Sequence, residues 1–378
     1  MKKRLGWISL AAMMTLLGGC ATTSQLNEEA QGESSKQVET QENATTVMSV
    51  NHQTLAQSLD AYLKERAFNG VALVASEDEI ILLQPYGMAN VENQEAMSVD
   101  HQFHIASVSK SFVAVSILQL VEEGKLSLDQ TIESYFPDMP HANQITIHQL
   151  LTHTSGLYSG DDLTDYSREV SVMDVIAPAF KASNLYYEEP GTQSIYSNLG
   201  YDVLGAIIEQ VSGQTYSDYL EEHIFQPAGM TDSGLNVSGE KIEHLATAYN
   251  GNIANGDEAK VLHPSFGYSS GGLHSTAMDL YKYDRALREN TLISGESYRL
   301  MTQAYSTIGT SAYGYGWFVN AGVENTVSHT GNLIGWHSMF LRHQEDDVTV
   351  ILLTNHDESD MYMAYNLARL VLAEKETS

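Results

Sequence analysis

The chain has 378 residues, 43% of them hydrophobic, which is enough to bury a sizeable core as one large domain or two. Its 48 acidic against 19 basic side chains give a formal charge of −29, and a surface of that sign repels nucleic acid and anionic lipid headgroups. The one cysteine, Cys20, excludes an intrachain disulfide.

The chain opens with Lys2, Lys3 and Arg4, followed by an apolar stretch over residues 5–17 and then Leu17-Gly18-Gly19-Cys20. A basic n-region, an apolar h-region and small residues at the cleavage point resemble a bacterial lipoprotein signal. The resemblance implies removal of residues 1–19, lipidation of Cys20 and an extracytoplasmic protein held to a membrane by acyl chains, each buried CH₂ contributing about 0.8 kcal/mol. Residues 20–53 are rich in Glu, Gln, Ser and Thr and lack Phe, Trp and Tyr. Such a segment buries too little apolar surface to offset its ordering entropy, so it reads as a disordered tether.

A folded domain is expected over residues 54–375. Leu55, Leu59, Leu63 and Phe68 recur at helical spacing and predict an amphipathic helix over 55–68. Residues 70–75 and 79–84 read as two strands across a polar turn. A helix follows Ser107, because the apolar run from Phe112 to Val121 is stopped by Gly124. The middle, 126–264, reads as mostly helical, with its clearest helices at 145–151 and 201–211. Thr276 with Asp279 predicts a capping box opening a helix through Leu287. Strand signals return at 315–319, 326–329, 338–342 and 348–354, and a helix over 360–373 closes the chain. Strands at both ends around a helical middle predict an α+β fold, an α/β sandwich of antiparallel sheet flanked by helices with a helical insertion.

Three short motifs carry chemistry. Ser107-Val108-Ser109-Lys110 places a hydroxyl and an amine three residues apart, on one face of a helix. A serine hydroxyl is a poor nucleophile until a base takes its proton. Burial and the positive start of a helix both disfavour an ammonium, so Lys110 is the candidate base. Tyr196-Ser197-Asn198 is expected on a loop before a helix beginning near Gly200. Its phenol can shuttle a proton if neighbouring cations lower its pKa, and Asn198 suits a substrate amide. His329-Thr330-Gly331 follows a short strand, where a substrate can lie along the edge and Gly331 permits close approach. Backbone N–H groups of Ser107 and Asn332 are the candidate oxyanion hole. Gly267-Tyr268-Ser269-Ser270-Gly271 matches a nucleophile elbow, but Pro264 stands where that elbow needs a central strand. His153 reads as a structural histidine, and no metal-ligand spacing is present.

Together the motifs resemble the serine β-lactamase and penicillin-binding protein superfamily, in the branch with class C enzymes and DD-peptidases, and the resemblance spans residues 54–375. Flanking segments agree: Phe103-His104-Ile105-Ala106, then 150–157, then Gly271-Gly272-Leu273-His274-Ser275-Thr276. The resemblance implies Ser107 as acylated nucleophile, Lys110 as base and Tyr196 as the third catalytic group. It implies Asn198, His329, Thr330, Gly331 and Asn332 as substrate-binding residues, with no metal and no cofactor. His329 stands where the usual residue is lysine, and a neutral imidazole holds a carboxylate less well than an ammonium does. The implied function is an extracytoplasmic serine hydrolase acting on D-amino-acid peptides or esters of the cell wall. A class C-type β-lactamase and a penicillin-binding sensor with little turnover are the alternatives.

Overall fold

In the computed structural model, the described residues are 50–157, 169–181, 185 and 189–377. The expected signal, Cys20 and the tether up to residue 49 lie outside them.

The first helix, α1 (Val50–Glu65), begins inside the segment expected to be tether. It leads into the hairpin β1 (Gly70–Ser76) and β2 (Glu79–Tyr86), near the expected bounds. The short strands β3 (Met88–Asn90) and β4 (Glu95–Ala96) follow, then β5 (Phe103–His104). A 3₁₀ turn at Ala106–Val108 runs directly into α2 (Ser109–Glu122). The insertion holds α3 (Ile147–Leu151) and α4 (Asn198–Ser212), then β6 (Gly234–Leu235) and the single turn α5 (Tyr268–Gly271). Next come β7 (Leu273–Ser275) and α6 (Ala277–Arg288). The chain ends with β8 (Ser306–Ile308), β9 (Ser311–Tyr313), β10 (Phe318–Val319), β11 (Thr326–Leu333), β12 (Trp336–His343), β13 (Val348–Thr354) and α7 (Met363–Thr377).

Eight strands form one sheet in the order β2-β1-β13-β12-β11-β10-β9-β8, and every pairing is antiparallel. All seven residues of β1 and of β13 are buried, so both faces of the sheet centre are covered. Alternation divides them. Ala72, Val74, Val350 and Leu352 meet Leu59 and Leu63 of α1 and Leu367 and Val371 of α7. Val71, Leu73, Ile351 and Leu353 turn the other way, into the larger core with Phe112, Val113 and Ile117 of α2. Each fully buried Leu or Phe contributes roughly 1.5–3 kcal/mol. That core makes α2 the central helix, and it fixes the residues at the start of that helix.

A second, three-stranded sheet runs β5-β7-β6. Ile105 N–H donates to Leu273 O at 2.9 Å, extending that pairing up to the residue before the 3₁₀ turn. The expected capping box is half formed. Thr276 Oγ1 accepts from Asp279 N–H, while the Asp279 carboxylate accepts from Asp232 N–H and Ser233 Oγ. Among the described residues no helix is long and apolar enough to cross a membrane.

Candidate active site

Ser107 sits in the middle of the 3₁₀ turn, with Lys110 in the first turn of α2. The turn opens on Ala106, whose φ of +45° lies in the left-handed region that non-glycine residues rarely occupy. Gly331 is the contact point on the other side. A Cβ added there would lie 2.1 Å from Ile105 O and 2.3 Å from Ser338 Oγ, so β11 reaches the nucleophile segment only as glycine. Ser338 Oγ–H also donates to Ile105 O at 2.8 Å.

Lys110 is 0% exposed. Its Nζ donates to Ser270 O at 2.7 Å, to Asn198 Oδ1 at 2.8 Å and to Ser107 Oγ at 3.1 Å. Burial pulls its pKa down to about 7, against the raising pull of the Asp202 carboxylate. Asp202 lies four residues beyond Asn198, on the same face of α4, and is itself buried. Its Oδ1 accepts from Ser270 N–H at 2.9 Å, so α4 and α5 clamp the amine together.

Tyr196 is half-buried, and its phenol is hydrogen-bonded with the Ser107 hydroxyl. Lys110 Nζ lies 4.9 Å from its ring centroid. The expectation that a nearby cation lowers the phenol pKa fails. Burial dominates and pushes it up, because desolvating a phenolate outweighs the hydrogen bond from Ser107. The helix after this motif also starts earlier than expected: Asn198 is its first residue and Ser197 caps it, accepting from Gly200 N–H. Asn198 therefore stands on a rigid helix end with its amide oxygen held by Lys110.

His329 departs most from expectation. It is 2% exposed, Nδ1–H donates to Thr330 O at 2.7 Å, and Nε2 accepts from the Tyr313 hydroxyl at 3.1 Å. Burial first and the Lys110 charge second bring its pKa down to about 3, against the raising pull of the Thr330 hydrogen bond. The ring is a neutral wall piece, and offers a substrate no donor. Thr330, Gly331 and Asn332 pair with Met339, Ser338 and His337 of β12. On the opposite edge β10 covers only Val327 and Ser328, so among the described strands the edge beyond Ser328 is unpaired and borders the Ser107 turn.

His153 and Asp202 were missed as site residues. His153 is buried at φ +57°, with its ring tilted against that of Tyr196 at 4.4 Å between centroids. Its carbonyl accepts from Ile195 N–H and its Nδ1 from Ser197 N–H, so it grips the Tyr196 loop on both sides. It is only half satisfied, since its Nε2 finds no partner among the described residues. The i, i+4 spacing of Asn198 and Asp202 is the signal that could have revealed the latter. The elbow-like serine is structural: Ser269 is 0% exposed and its Oγ–H donates to Tyr201 O. No group of three or more potential metal ligands occurs among the described residues.

A cleft of about 540 Å³ opens over Ser107, Asn198 and Asn332. A seryl hydroxyl between a buried near-neutral amine and a phenol, below an open strand edge, defines a serine hydrolase built for acyl transfer. A beta-lactamase family model matches residues 55–375, and the chain belongs to that family. A penicillin-binding protein of Bacillus subtilis (strain 168) is 31% identical over 333 residues, 82% of this chain and 72% of the relative. Among solved structures, a penicillin-binding protein from Bacillus halodurans superposes with TM-score 0.73 at 26% identity, over 83% of this chain and 98% of the other. D-amino acid amidase from Ochrobactrum anthropi SV3, complexed with D-phenylalanine, gives 0.74 at 26%, over 86% and 99%.

Proposed function

We propose that this hydrolase works outside the cytoplasm, tethered through a lipid on Cys20, and cleaves D-amino-acid peptides or esters of the cell wall by way of an acyl-enzyme on Ser107. The observation that carries the mechanism is the buried Lys110 amine, 3.1 Å from Ser107 Oγ with its pKa near 7. Neutral Lys110 takes the proton of Ser107 as Oγ attacks the carbonyl carbon, and backbone N–H groups of Ser107 and Asn332 hold the oxyanion. The intermediate collapses to the acyl-enzyme as Tyr196, kept protonated by its burial, hands a proton to the leaving group. The Lys110 ammonium returns a proton to Tyr196. Water then attacks the ester carbonyl, its proton passes to the base, and Ser107 leaves with one. The cell-wall substrate class draws support from the D-amino acid amidase and penicillin-binding likenesses, and the tether from the Leu17-Gly18-Gly19-Cys20 signal.

Within that class, His329 favours esters and amides over a carboxypeptidase substrate. Among the described residues lining the cleft, the one cation is Lys241, and it is exposed. A free carboxylate beside the scissile bond thus lacks the ammonium that a lysine at 329 would supply. The test compares fluorescent penicillin, a chromogenic cephalosporin and a p-nitrophenyl ester on the wild type and Ser107→Ala. Ester turnover lost in Ser107→Ala, with slow cephalosporin turnover, supports the proposal. Rapid cephalosporin turnover would make it a lactamase, stable penicillin labelling without turnover a sensor.

A further inference from the structure

The cleft is larger than attack on a small carbonyl group requires, and its lining changes character with distance from solvent. Its charged members other than Asp202 are Glu240, Lys241 and Glu258, all exposed at the mouth. Between them and Ser107, Leu245, Ala246, Ala259, Leu262, Leu333 and Trp336 supply an apolar part of the wall, beside the polar side chains of Asn236, Thr247 and His263. The Trp336 indole N–H is spent on Ala246 O at 2.9 Å, so the ring faces the cleft as hydrocarbon. His104 packs edge-on against Trp336 at 4.8 Å, and burial keeps its imidazole neutral, with a pKa of about 4. At the mouth Val261 is 48% exposed and Ile334, next to the lining residue Leu333, 44%. Large aliphatic side chains at those exposures extend the apolar surface outward, toward an incoming ligand.

We propose that this arm, between the 245–262 segment and the β11–β12 turn, is an acyl-group subsite for a bulky apolar substituent, an aromatic or branched aliphatic side chain or a short acyl chain. The inference rests on the acyl-enzyme reading of Ser107, because the arm is continuous with the cleft floor that holds that hydroxyl. A volume of about 540 Å³ exceeds what an alanyl group fills and lies in the range of sites that enclose whole small ligands. The arm presents no buried ammonium or guanidinium among the described residues, so an anionic acyl substituent would be desolvated without a partner. An apolar one exchanges water for Trp336, Leu262 and Leu333.

The experiment measures kcat/KM for p-nitrophenyl acetate, butyrate, hexanoate and phenylacetate on the full chain. It is repeated on Leu262→Asp and on Ala259→Trp, which respectively charge and fill the arm. Each buried CH₂ is expected to raise kcat/KM about four-fold, so butyrate should exceed acetate by about fifteen-fold. In the variants the butyrate-to-acetate ratio should fall toward one, and this ratio, rather than either rate, is the reading. Melting curves confirm that each variant is folded, and the two variants act by opposite means, so an unfolded one leaves the other decisive. A wild-type ratio near one, with turnover still abolished in Ser107→Ala, would overturn the subsite and leave the acyl-enzyme standing. A ratio that persists in a folded variant would overturn the location. Turnover that survives Ser107→Ala would overturn the acyl-enzyme reading and the subsite with it.

Discussion

Asp202→Asn should move the acid limb of the pH–rate profile downward. Lys110 accepts the Ser107 proton only as a neutral amine, so activity is lost as pH falls through its pKa of about 7. The Asp202 carboxylate favours the ammonium and raises that value. Asp202 Oδ1 and Lys110 Nζ bind the N–H and the C=O of the same residue, Ser270, at 2.9 and 2.7 Å. One residue of backbone therefore separates the charges, roughly 6–8 Å. At an effective dielectric constant of about 20, their attraction is about 2 kcal/mol, or one to two pH units. Asparagine keeps an oxygen for Ser270 N–H and removes the charge. The midpoint of the limb should therefore fall to about pH 5.5–6, and the variant should outperform the wild type below that pH relative to its own plateau. The assay is kcat/KM for a chromogenic ester between pH 5 and 9, with Ser107→Ala as background. An unmoved limb would refute Lys110 as the titrating base, and an upward shift would refute the sign of the Asp202 contribution.

Ser269→Ala should retain turnover, because that hydroxyl is fully buried against Tyr201 O, away from the cleft. It should lose about 1 kcal/mol of stability, read by urea denaturation. Acid should destabilise the fold well before the carboxylates titrate. Burial depresses His104 and His274 to about 4 and His329 to about 3, so the unfolded chain takes up protons from pH 6.5 downward while the folded chain does not. Stability from these groups is complete above pH 6.5 and falls as pH drops, by about 2 kcal/mol each at pH 5. Melting temperatures across pH 5–7.5 would show it, and a flat profile would contradict the buried neutral rings.

The sequence was legible where pattern and packing coincide. The run at 348–354 became a central strand because an unbroken β-branched and leucine pattern suits a sheet covered on both faces, and the Val, Leu and small alanine side chains at 70–75 fit the same buried setting. Strands β8 and β9 escaped notice because three residues at a sheet end show no period. The Ser107–Lys110 pair was readable from spacing alone, whereas the reason for the amine's neutrality was not. The cause is burial under α4 and α5, whose residues 198–212 and 268–271 lie far along the chain. The same blindness explains Tyr196 and His329. A motif names the side chain, but its hydrogen-bond partners, here the distant Tyr313, decide whether it faces substrate or wall.

The burial of Lys110 makes its basicity a product of folding. In the open chain this lysine titrates near 10.5, and in the native molecule near 7. At pH 8.5 the chain therefore releases close to one proton as it folds, a quantity that calorimetry in buffers of different ionisation enthalpy reads directly. The native state is disfavoured through this residue by on the order of 5 kcal/mol at neutral pH and below, and the penalty fades as pH rises from 7 to 10.5. The catalytic base is thus charged in the nascent polypeptide and discharged by the closing of the core around it. The hydrolase acquires its reactivity only when α2, α4 and α5 have come together.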